Sequence, residues 1–531
     1  MFEAIAPDVS PRLTPSFAQI ARKVWAPRIL AGSLFVIGVT GCESRHDHTR
    51  TLQFIIESSP NNLDLRQGTD AQSERVGATI YDALVRKDEH FNLQPWLATS
   101  WERPDALTWI FHLRNGVSFH DGKPLGAEDV AWSMRSMMDG SLITAKGGAL
   151  AAVERVEVRD PLTVVVRMKH PDNALLFNLS DGLFGVVERG AGKDEGLHPI
   201  GTGPFRFVSQ AQDKEVIVER NASYWAGAPK IERVRFVVSP DTITTALELK
   251  KGSGDVESNV ITLDMVHALR GQANLRVESG PGSFVVYANF NVNDPALRDK
   301  RVRQAIACAI DKQAIIQALW RGEAVPAETL LPLGHWAAAS ESELPQYAHD
   351  PARAVRLLDE AGLKPDAHGV RLRFTLKTST DETTRLEAQV MQEELRSVGI
   401  ELTLRSAEFG TFYSDITKGA FQMYILRWIG SNEDPDIFRY AYATQSFPPK
   451  GGNRGRYSNA HVDALLQAAS AETDQEVRRR EYVEVQKILA EELPGISLFY
   501  PNNAVVHSAR LTGVKLEPGG GFGFLRIAEL K

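Results

Sequence analysis

Residues 113–130 read Leu-Arg-Asn-Gly-Val-Ser-Phe-His-Asp-Gly-Lys-Pro-Leu-Gly-Ala-Glu-Asp-Val. The alternation of Leu107–Leu113 predicts a strand that leads into this stretch, and Asn115-Gly116 predicts the turn that ends the strand. Helical spacing over Ala127–Met138, with two acidic residues in the first turn, predicts a helix. The stretch therefore predicts a strand, a turn-rich loop and a helix in close succession.

The same alternation of strands and helices continues through both halves of the chain. Strands are predicted at 51–56, 107–113, 216–219, 234–238, 284–290, 372–377, 401–404, 423–428 and 522–527, with a hairpin at 153–168. Helices are predicted at 75–84, 127–138, 242–251, 351–361 and 383–398, as one long pattern over 299–319, and as two helices within 461–493. Strand–helix alternation in both halves predicts two α/β lobes.

Several short motifs follow one another in an order that is informative as a set. Besides residues 113–130, they are Ile80–Val85, Leu93–Ala98, Gly201–Phe205, Asn221–Trp225, Arg301–Ile306, Asp434–Asp436 and Arg456–Asn459. In order and spacing they resemble the family 5 solute-binding proteins of ABC importers, which include dipeptide, oligopeptide and nickel receptors. The resemblance covers nearly all of residues 51–531.

This resemblance implies an α/β, two-lobe periplasmic-binding-protein fold of type II, with an extra domain and a hinge between the lobes. Lobe I is expected at 51–81 with 199–283 and 503–531, the extra domain at 82–198, and lobe II at 284–502. Gly201–Phe205 lacks the Gly-Lys-Ser/Thr ending of a phosphate loop, and we interpret it as a tight crossing between lobes.

The start of the chain predicts export. Residues 29–38 form a short apolar run with three basic residues just before it, and Val39–Cys42 follows as Val-Thr-Gly-Cys. This pattern resembles a bacterial lipoprotein signal, which predicts a signal peptide at 1–41, a lipid on Cys42 and a polar tether at 42–50. The alternative is a structural Cys after a short membrane segment, but the run is too short to span a bilayer. Translation from Met1 and from near Val24 both remain open.

Composition narrows the function classes further. The 531 residues carry 60 basic and 67 acidic groups, a net charge of −7, without a basic block, so nucleic acid is not expected as a partner.

The cysteines and histidines predict neither a disulfide nor a metal site. With Cys42 lipidated, Cys308 is the only other Cys and has no disulfide partner; its helical context predicts a buried apolar role. His46 and His48 are interpreted as linker residues rather than as a metal site. We expect no metal and no cofactor.

The candidate ligand site begins at Trp428, at the end of a predicted strand. Ligand sites in α/β folds lie where strands end, and Ser431 and Asn432 add short polar groups after this Trp. In the peptide receptors that the chain resembles, the third residue after the Trp is an aspartate that pairs with the α-ammonium of the peptide. That position is Ser431 here, and Glu433 or Asp434 is the possible substitute. The other interpretation of Asp434 is a helix-starting turn.

The second charged anchor of a dipeptide is also missing. Dipeptide receptors of the family carry an arginine for the peptide carboxylate shortly before the helix that here spans 383–398, and residues 377–381 contain none. Alternation places Tyr287 and Asn289 on one face of their strand, either as ligand contacts or as core residues. Arg427 points away from Trp428 on an extended strand and is left out of the site.

These observations favour a binding protein over an enzyme. The first hypothesis is a monomeric receptor that captures a peptide or peptide-like solute and delivers it to an ABC permease and its ATPase subunits. The second is the same fold with a metal chelate, a sugar or an opine-like conjugate as ligand. The third, an extracytoplasmic hydrolase, lacks a Gly-x-Ser-x-Gly, His-Glu-x-x-His or Cys/His pattern.

Overall fold

The computed structural model describes residues 51–142, 144–430 and 433–531. The signal peptide, the tether and Cys42 lie outside these residues, as do Ser431 and Asn432. In the part of the chain that is described, no helix has both the length and the apolar character that a membrane crossing requires.

The strands follow the chain from the first described residue to the last. They are β1 Thr51–Ile56, β2 Val85–Lys87, β3 Leu93–Pro95, β4 Ala98–Asp105, β5 Thr108–Leu113, β6 Val153–Asp160, β7 Thr163–Met168, β8 Phe205–Ala211, β9 Glu215–Arg220, β10 Arg233–Val238, β11 Val256–Ser258, β12 Leu275–Pro281, β13 Val285–Phe290, β14 Ala324–Pro326, β15 Leu372–Ser379, β16 Ile400–Ala407, β17 Met423–Trp428, β18 Gly495–Ser508, β19 Leu511–Thr512 and β20 Glu529–Leu530.

The helices alternate with these strands. They are α1 Ala71–Ile80, α2 Ala127–Met138, α3 Ala174–Asn178, α4 Thr242–Lys251, α5 Leu263–Leu269, α6 Lys300–Ala309, α7 Lys312–Trp320, α8 Pro351–Glu360, α9 Glu382–Ser397, α10 Phe409–Lys418, α11 Ile437–Tyr442, α12 Ala460–Ala471 and α13 Gln475–Glu492. Aspartate begins many of them: the Asp241 carboxylate accepts the N–H of Thr244 at the start of α4, and Gly252 ends that helix at φ 83°.

One large sheet connects the two lobes. Its strand order is β16-β15-β17-β13-β18-β11-β1-β10-β9-β8, and β12 and β14 also pair with β18. The first part of β18, Gly495–Phe499, pairs with β13, whereas Val505–His507 pairs with β11. Strand β18 therefore changes its partner from β13 to β11 along its length, and it joins the two parts of the sheet.

The stretch at 113–130 joins a separate four-stranded antiparallel sheet to its helix. The sheet order is β4-β5-β7-β6, and α2 packs its buried residues against it. The loop between β5 and α2 reaches the Gly201–Phe205 segment, because the N–H of His120 donates to the carbonyl of Gly201 and its Nε2 lies 3.0 Å from the carbonyl oxygen of Gly203. Burial lowers the pKa of His120 to about 4. At neutral pH the contact with the carbonyl of Gly203 is therefore made by a neutral imidazole.

Four of the sequence motifs meet at one buried carboxylate, Asp82. It accepts hydrogen bonds from the indoles of Trp96 and Trp225, at 2.8 and 2.9 Å. The hydroxyls of Tyr224 and Thr202 donate to it at 2.8 and 2.9 Å. Burial raises the pKa of Asp82, and these four donors oppose the rise. The four motifs are therefore joined to one another through a single buried carboxylate.

Two sequence predictions are wrong, the helix expected at 75–84 lies four residues earlier as α1, and several elements were not predicted. The long helical pattern at 299–319 is two helices, α6 and α7, because the Asp311 side chain accepts the N–H of Ala314 and starts a new helix. The expected strand at 522–527 is a short 3₁₀ turn, Gly523–Arg526, and Phe522 beside it packs 4.4 Å from the ring of Phe54. Among the elements without a sequence prediction, the longest is β18.

Other predictions agree closely with the structure. Strands β1 and β17 and helices α2 and α4 have the bounds expected from the sequence. Cys308 lies on α6 and is fully buried, as its context predicts. The exact boundaries of the two lobes and of the extra domain stay a prediction.

Candidate functional site

The candidate site lies where β17 ends beside β13. The two strands are antiparallel, with Val285 opposite Trp428 and Tyr287 opposite Leu426. The rings of Trp428 and Tyr287 stack at 5.5 Å with an interplanar angle of 12°. Trp428 is 9% exposed and belongs to the hydrophobic core beneath this end of the sheet. The indole is thus part of the site's floor rather than a free-standing side chain.

Tyr287 and Asn289 lie under this floor on the same face of β13. The amide nitrogen of Asn289 donates to the hydroxyl of Tyr424 at 3.0 Å, and the hydroxyls of Tyr287 and Tyr424 lie 3.4 Å apart. Both predicted residues are buried, and burial raises the pKa of Tyr287 well above its ordinary value. Their contacts support Trp428 from below, as the core interpretation of these residues requires.

Exposed apolar side chains form a rim beside Trp428. Tyr440 meets the indole edge-on at 6.0 Å, and Ile429 directly after it is 73% exposed. Phe409 and Tyr413 on α10 stack on each other at 5.7 Å, and both are exposed. Exposed aromatic and aliphatic groups gathered beside a buried floor are typical of a ligand-binding surface.

Arg454 is a component of this site that sequence reasoning missed. Its guanidinium lies 5.4 Å from the ring centroid of Trp428 and 5.0 Å from that of Tyr413. Nη2 donates to the hydroxyl of Tyr413 at 2.8 Å. The residue is buried, and its Nη1 has no hydrogen-bond partner among the described residues. Arg454 precedes the Arg456–Asn459 motif, but a single sequence gives no signal that it meets Trp428.

Glu433 faces a lysine from a distant part of the chain. Its carboxylate lies 2.6 Å from the ammonium of Lys87 on β2, and both side chains are largely buried. Burial alone would lower the pKa of Lys87, but Glu433 and Asp181 beside it raise the pKa. The carbonyl of Glu433 also lies 3.1 Å from Nε2 of His335. Glu433 is therefore occupied by contacts within the protein.

Asp434 sits in the turn that leads to α11. Its carboxylate accepts the N–H of Asp436 at 2.7 Å, which is the contact expected of a helix-starting turn. Burial raises the pKa of Asp434 to about 6. Ser431 and Asn432, the other two predicted contacts, fall outside the described residues. Of the remaining predicted residues, Trp428, Tyr287 and Asn289 lie together, whereas Asp434 belongs to the turn before α11.

The stretch that lacks the family's arginine has an arginine beside it. Arg427 leans away from Trp428, 6.0 Å from the ring centroid of Trp320, and its Nη2 lies 3.4 Å from the carboxylate of Asp381. Lys377 is paired with Asp415 at 2.6 Å. Within the described ranges, no group of three or more His, Cys, Asp or Glu side chains is placed to hold a metal ion.

The fold and this site define a class: a two-lobed α/β solute receptor with the periplasmic-binding-protein architecture. The family model of bacterial extracellular solute-binding proteins, family 5 Middle, matches residues 92–448. This chain belongs to that family.

Relatives and solved structures agree with this assignment. The chain is 29% identical to the probable di/tripeptide-binding protein 5 of Pseudomonas aeruginosa, over 90% of this chain and 95% of that protein. It is 29% identical to the glutathione-binding protein GsiB of Salmonella choleraesuis, over 88% of this chain and 92% of that protein. The structure of HbpA2 from Haemophilus parasuis superimposes with a TM-score of 0.82 at 25% identity, over 91% of this chain and all of that one (100%).

Proposed function

We propose that this protein is the substrate-binding receptor of an ABC importer and captures a peptide or peptide-like solute between its lobes. The observation that carries the proposal is the floor of Trp428 stacked on Tyr287, flanked by exposed apolar groups where the chain passes between the lobes. Family membership supports the receptor role, and the names of the relatives from P. aeruginosa and Salmonella support a peptide ligand.

The remaining parts of the proposal follow from the sequence. The receptor acts outside the cytoplasm as a monomer, held to the membrane by a lipid on Cys42, and hands its ligand to a permease with ATPase subunits. It performs no catalysis. Its lobes move about a hinge at the crossing strands, with the extra domain at 82–198 attached to lobe I.

The ligand is the first thing to test. Native mass spectrometry of protein purified from its own host identifies a co-purified solute, and calorimetry with a panel of di- and tripeptides and their derivatives measures affinity. We expect a peptide-like mass and at least one dissociation constant in the micromolar range or below. A metal chelate, a sugar or an opine-like conjugate in the mass spectrum, with no peptide bound, would contradict the peptide ligand.

A matched pair of variants tests the place of binding. Trp428→Phe keeps an aromatic ring but removes stacking area, and we expect a loss of affinity of up to about tenfold, since aromatic contacts of this kind contribute about 0.5–1.5 kcal/mol. The control is Trp101→Phe on β4, within the separate four-stranded sheet. Equal affinities for the two variants would place the ligand elsewhere.

The lipid anchor has its own test. Cys42→Ser removes the acceptor thiol, so the variant is expected either to keep its unprocessed size or to leave the detergent phase in a detergent-partition experiment. A variant of normal mature size that still enters the detergent phase would contradict lipidation at Cys42.

A further inference from the structure

Arg454 carries a buried positive charge for which the described part of the protein supplies no carboxylate. The groups around the guanidinium are aromatic rings and hydroxyls: Trp428 and Tyr413 flank it, and Tyr287 and Tyr424 lie near it. Nη2 has a hydroxyl acceptor, whereas Nη1 is buried and has no partner among the described residues. A buried guanidinium is costly unless it is paired, because its hydration is lost.

The open donor is chemically specific. A guanidinium presents parallel N–H groups whose spacing matches the two oxygens of a carboxylate, and this bidentate pairing is the strongest that arginine makes. The exposed rim of Tyr413, Tyr440 and Ile429 lies beside it and would cover an apolar group attached to that carboxylate. Arg454 is therefore suited to the acidic end of a ligand that has an apolar body.

A free ammonium has no corresponding partner among the described residues of the site. The carboxylate of Glu433 is held by Lys87, and that of Asp434 accepts the N–H of Asp436. The two residues between Gly430 and Glu433 are serine and asparagine, which carry no charge.

The charges around Lys87 also balance without a ligand. Three basic and three acidic side chains interact there: Arg86, Lys87, Arg526, Asp181, Glu433 and Glu517. The groups that act on Arg454 are tyrosines rather than these six side chains, so its guanidinium has no counter-ion among the described residues. A zwitterionic dipeptide would satisfy Arg454 but bury its own ammonium without a partner, whereas an N-blocked acid of charge −1 would satisfy the site completely.

We propose that the ligand is an anionic, peptide-like acid without a free α-ammonium, such as an N-acylated peptide, and that its carboxylate pairs with Arg454. This inference rests on the proposed function and narrows the class of solute. It assigns to Arg454 the anchoring that the family's dipeptide receptors obtain from an arginine at another position.

Four versions of one dipeptide test the inference in the wild-type protein by calorimetry. The probes are Ala-Phe, N-acetyl-Ala-Phe, Ala-Phe amide and N-acetyl-Ala-Phe amide. We expect N-acetyl-Ala-Phe to bind at least about tenfold more tightly than Ala-Phe, and both amides to bind at least about a hundredfold more weakly than N-acetyl-Ala-Phe, since each lacks the carboxylate.

Variants assign the effect to one residue. Arg454→Gln is expected to lower the affinity for N-acetyl-Ala-Phe about a hundredfold and to leave the affinity for its amide unchanged. Arg456→Gln, two residues along the same segment and stacked on Phe447, is the control and is expected to bind like the wild type. Arg454→Lys keeps the charge without the bidentate geometry and is expected to lie between the two.

The outcomes separate the inference from the proposed function. Binding of Ala-Phe as tight as that of its acetylated form, or an equal loss for both ligands in Arg454→Gln, overturns the inference and leaves the peptide receptor standing. No binding by any of the four probes contradicts the peptide ligand and the inference with it. If Arg454→Gln does not fold, the test is the order of the four affinities in the wild-type protein, in which N-acetyl-Ala-Phe is expected to bind most tightly.

Discussion

Two buried arginines show opposite solutions to the same problem. Arg66 is fully buried, and its side-chain nitrogens donate to both oxygens of Asp64, to the hydroxyl of Ser136 and to the carbonyls of Ala191 and Gly192. Arg454 is almost as deeply buried, but it has one hydroxyl acceptor and one open donor. A saturated buried charge fixes the fold, whereas an unsaturated one is suited to a ligand.

The largest expected effect on stability belongs to Arg66, the arginine whose donors are all paired. Arg66→Met leaves the Asp64 carboxylate buried without its charge partner, so we expect the free energy of unfolding to fall by about 3–5 kcal/mol. Denaturant unfolding followed by circular dichroism measures the loss. The control is Arg396→Met, whose ion pair with Glu393 is exposed and whose loss is expected to cost less than about 1 kcal/mol. A loss of stability as small as that of the control would contradict a structural role for Arg66.

Glu257 is a buried acid that avoids the cost of a buried charge in a third way, by taking up a proton. Glu257 accepts the N–H of Val260 with one oxygen, and its other oxygen has no partner among the described residues. Burial raises its pKa from 4.5 to about 7, so the folded protein takes up a proton there. Arginine cannot relieve burial in this way, because its guanidinium stays charged.

The pH dependence follows from that raised pKa. The folded pKa lies above the unfolded one, so the contribution of Glu257 to stability is present in full below about 4.5 and is lost as the pH rises through about 7. The loss is up to about 3 kcal/mol. We expect Glu257→Gln to remove this part of the pH dependence between pH 5 and pH 8, and Glu360→Gln, at an exposed position, to retain it. Parallel curves for the wild type and Glu257→Gln would contradict the assignment.

The pair of Lys87 and Glu433 tests whether a saturated charge can also hold separate segments together. A double-mutant cycle with Lys87→Met and Glu433→Gln is expected to give a coupling energy of about 1–3 kcal/mol, because the pair is largely buried. Lys515 and Glu89, an exposed pair that is even more distant in sequence, is the matched control, and its coupling is expected to be too small to measure. Equal couplings would show that burial adds nothing at Lys87.

The smallest expected effect on stability belongs to Arg454. Replacing an unsaturated buried charge by an apolar side chain removes a cost, so Arg454→Met should change the free energy of unfolding by less than about 1 kcal/mol in either direction. The same denaturant measurement, with Arg66→Met beside it, gives the contrast directly. A loss above about 2 kcal/mol would make Arg454 a structural arginine.

The sequence predicted the fold far better than the site, and the reason is physical. Elements such as α4 carry their own start and stop signals, Asp241 and Gly252, so they are visible from local residues. Strand β18 contains Pro501 and two asparagines, which locally indicate a turn, and it continues as a strand because its partners change from β13 to β11 at that point.

The site depends on contacts between distant residues. Trp428 was found from its position at a strand end, but Arg454 and Lys87 meet the site only through the fold, and no local pattern marks either of them. The missing charged anchors at Ser431 and at 377–381 were visible in the sequence. The position of Arg454 beside Trp428 is set by the three-dimensional fold and is not visible in the sequence.

Strand β18 also sets how the protein tolerates truncation. A chain cut after Pro501 would lose the residues that pair with β11 and with all of β12, and both strands would keep unpaired backbone groups at an open edge. Such edges are templates for aggregation. The last thirty or so residues are therefore not a dispensable tail, and affinity tags or fusion partners belong after Lys531 rather than in place of this segment.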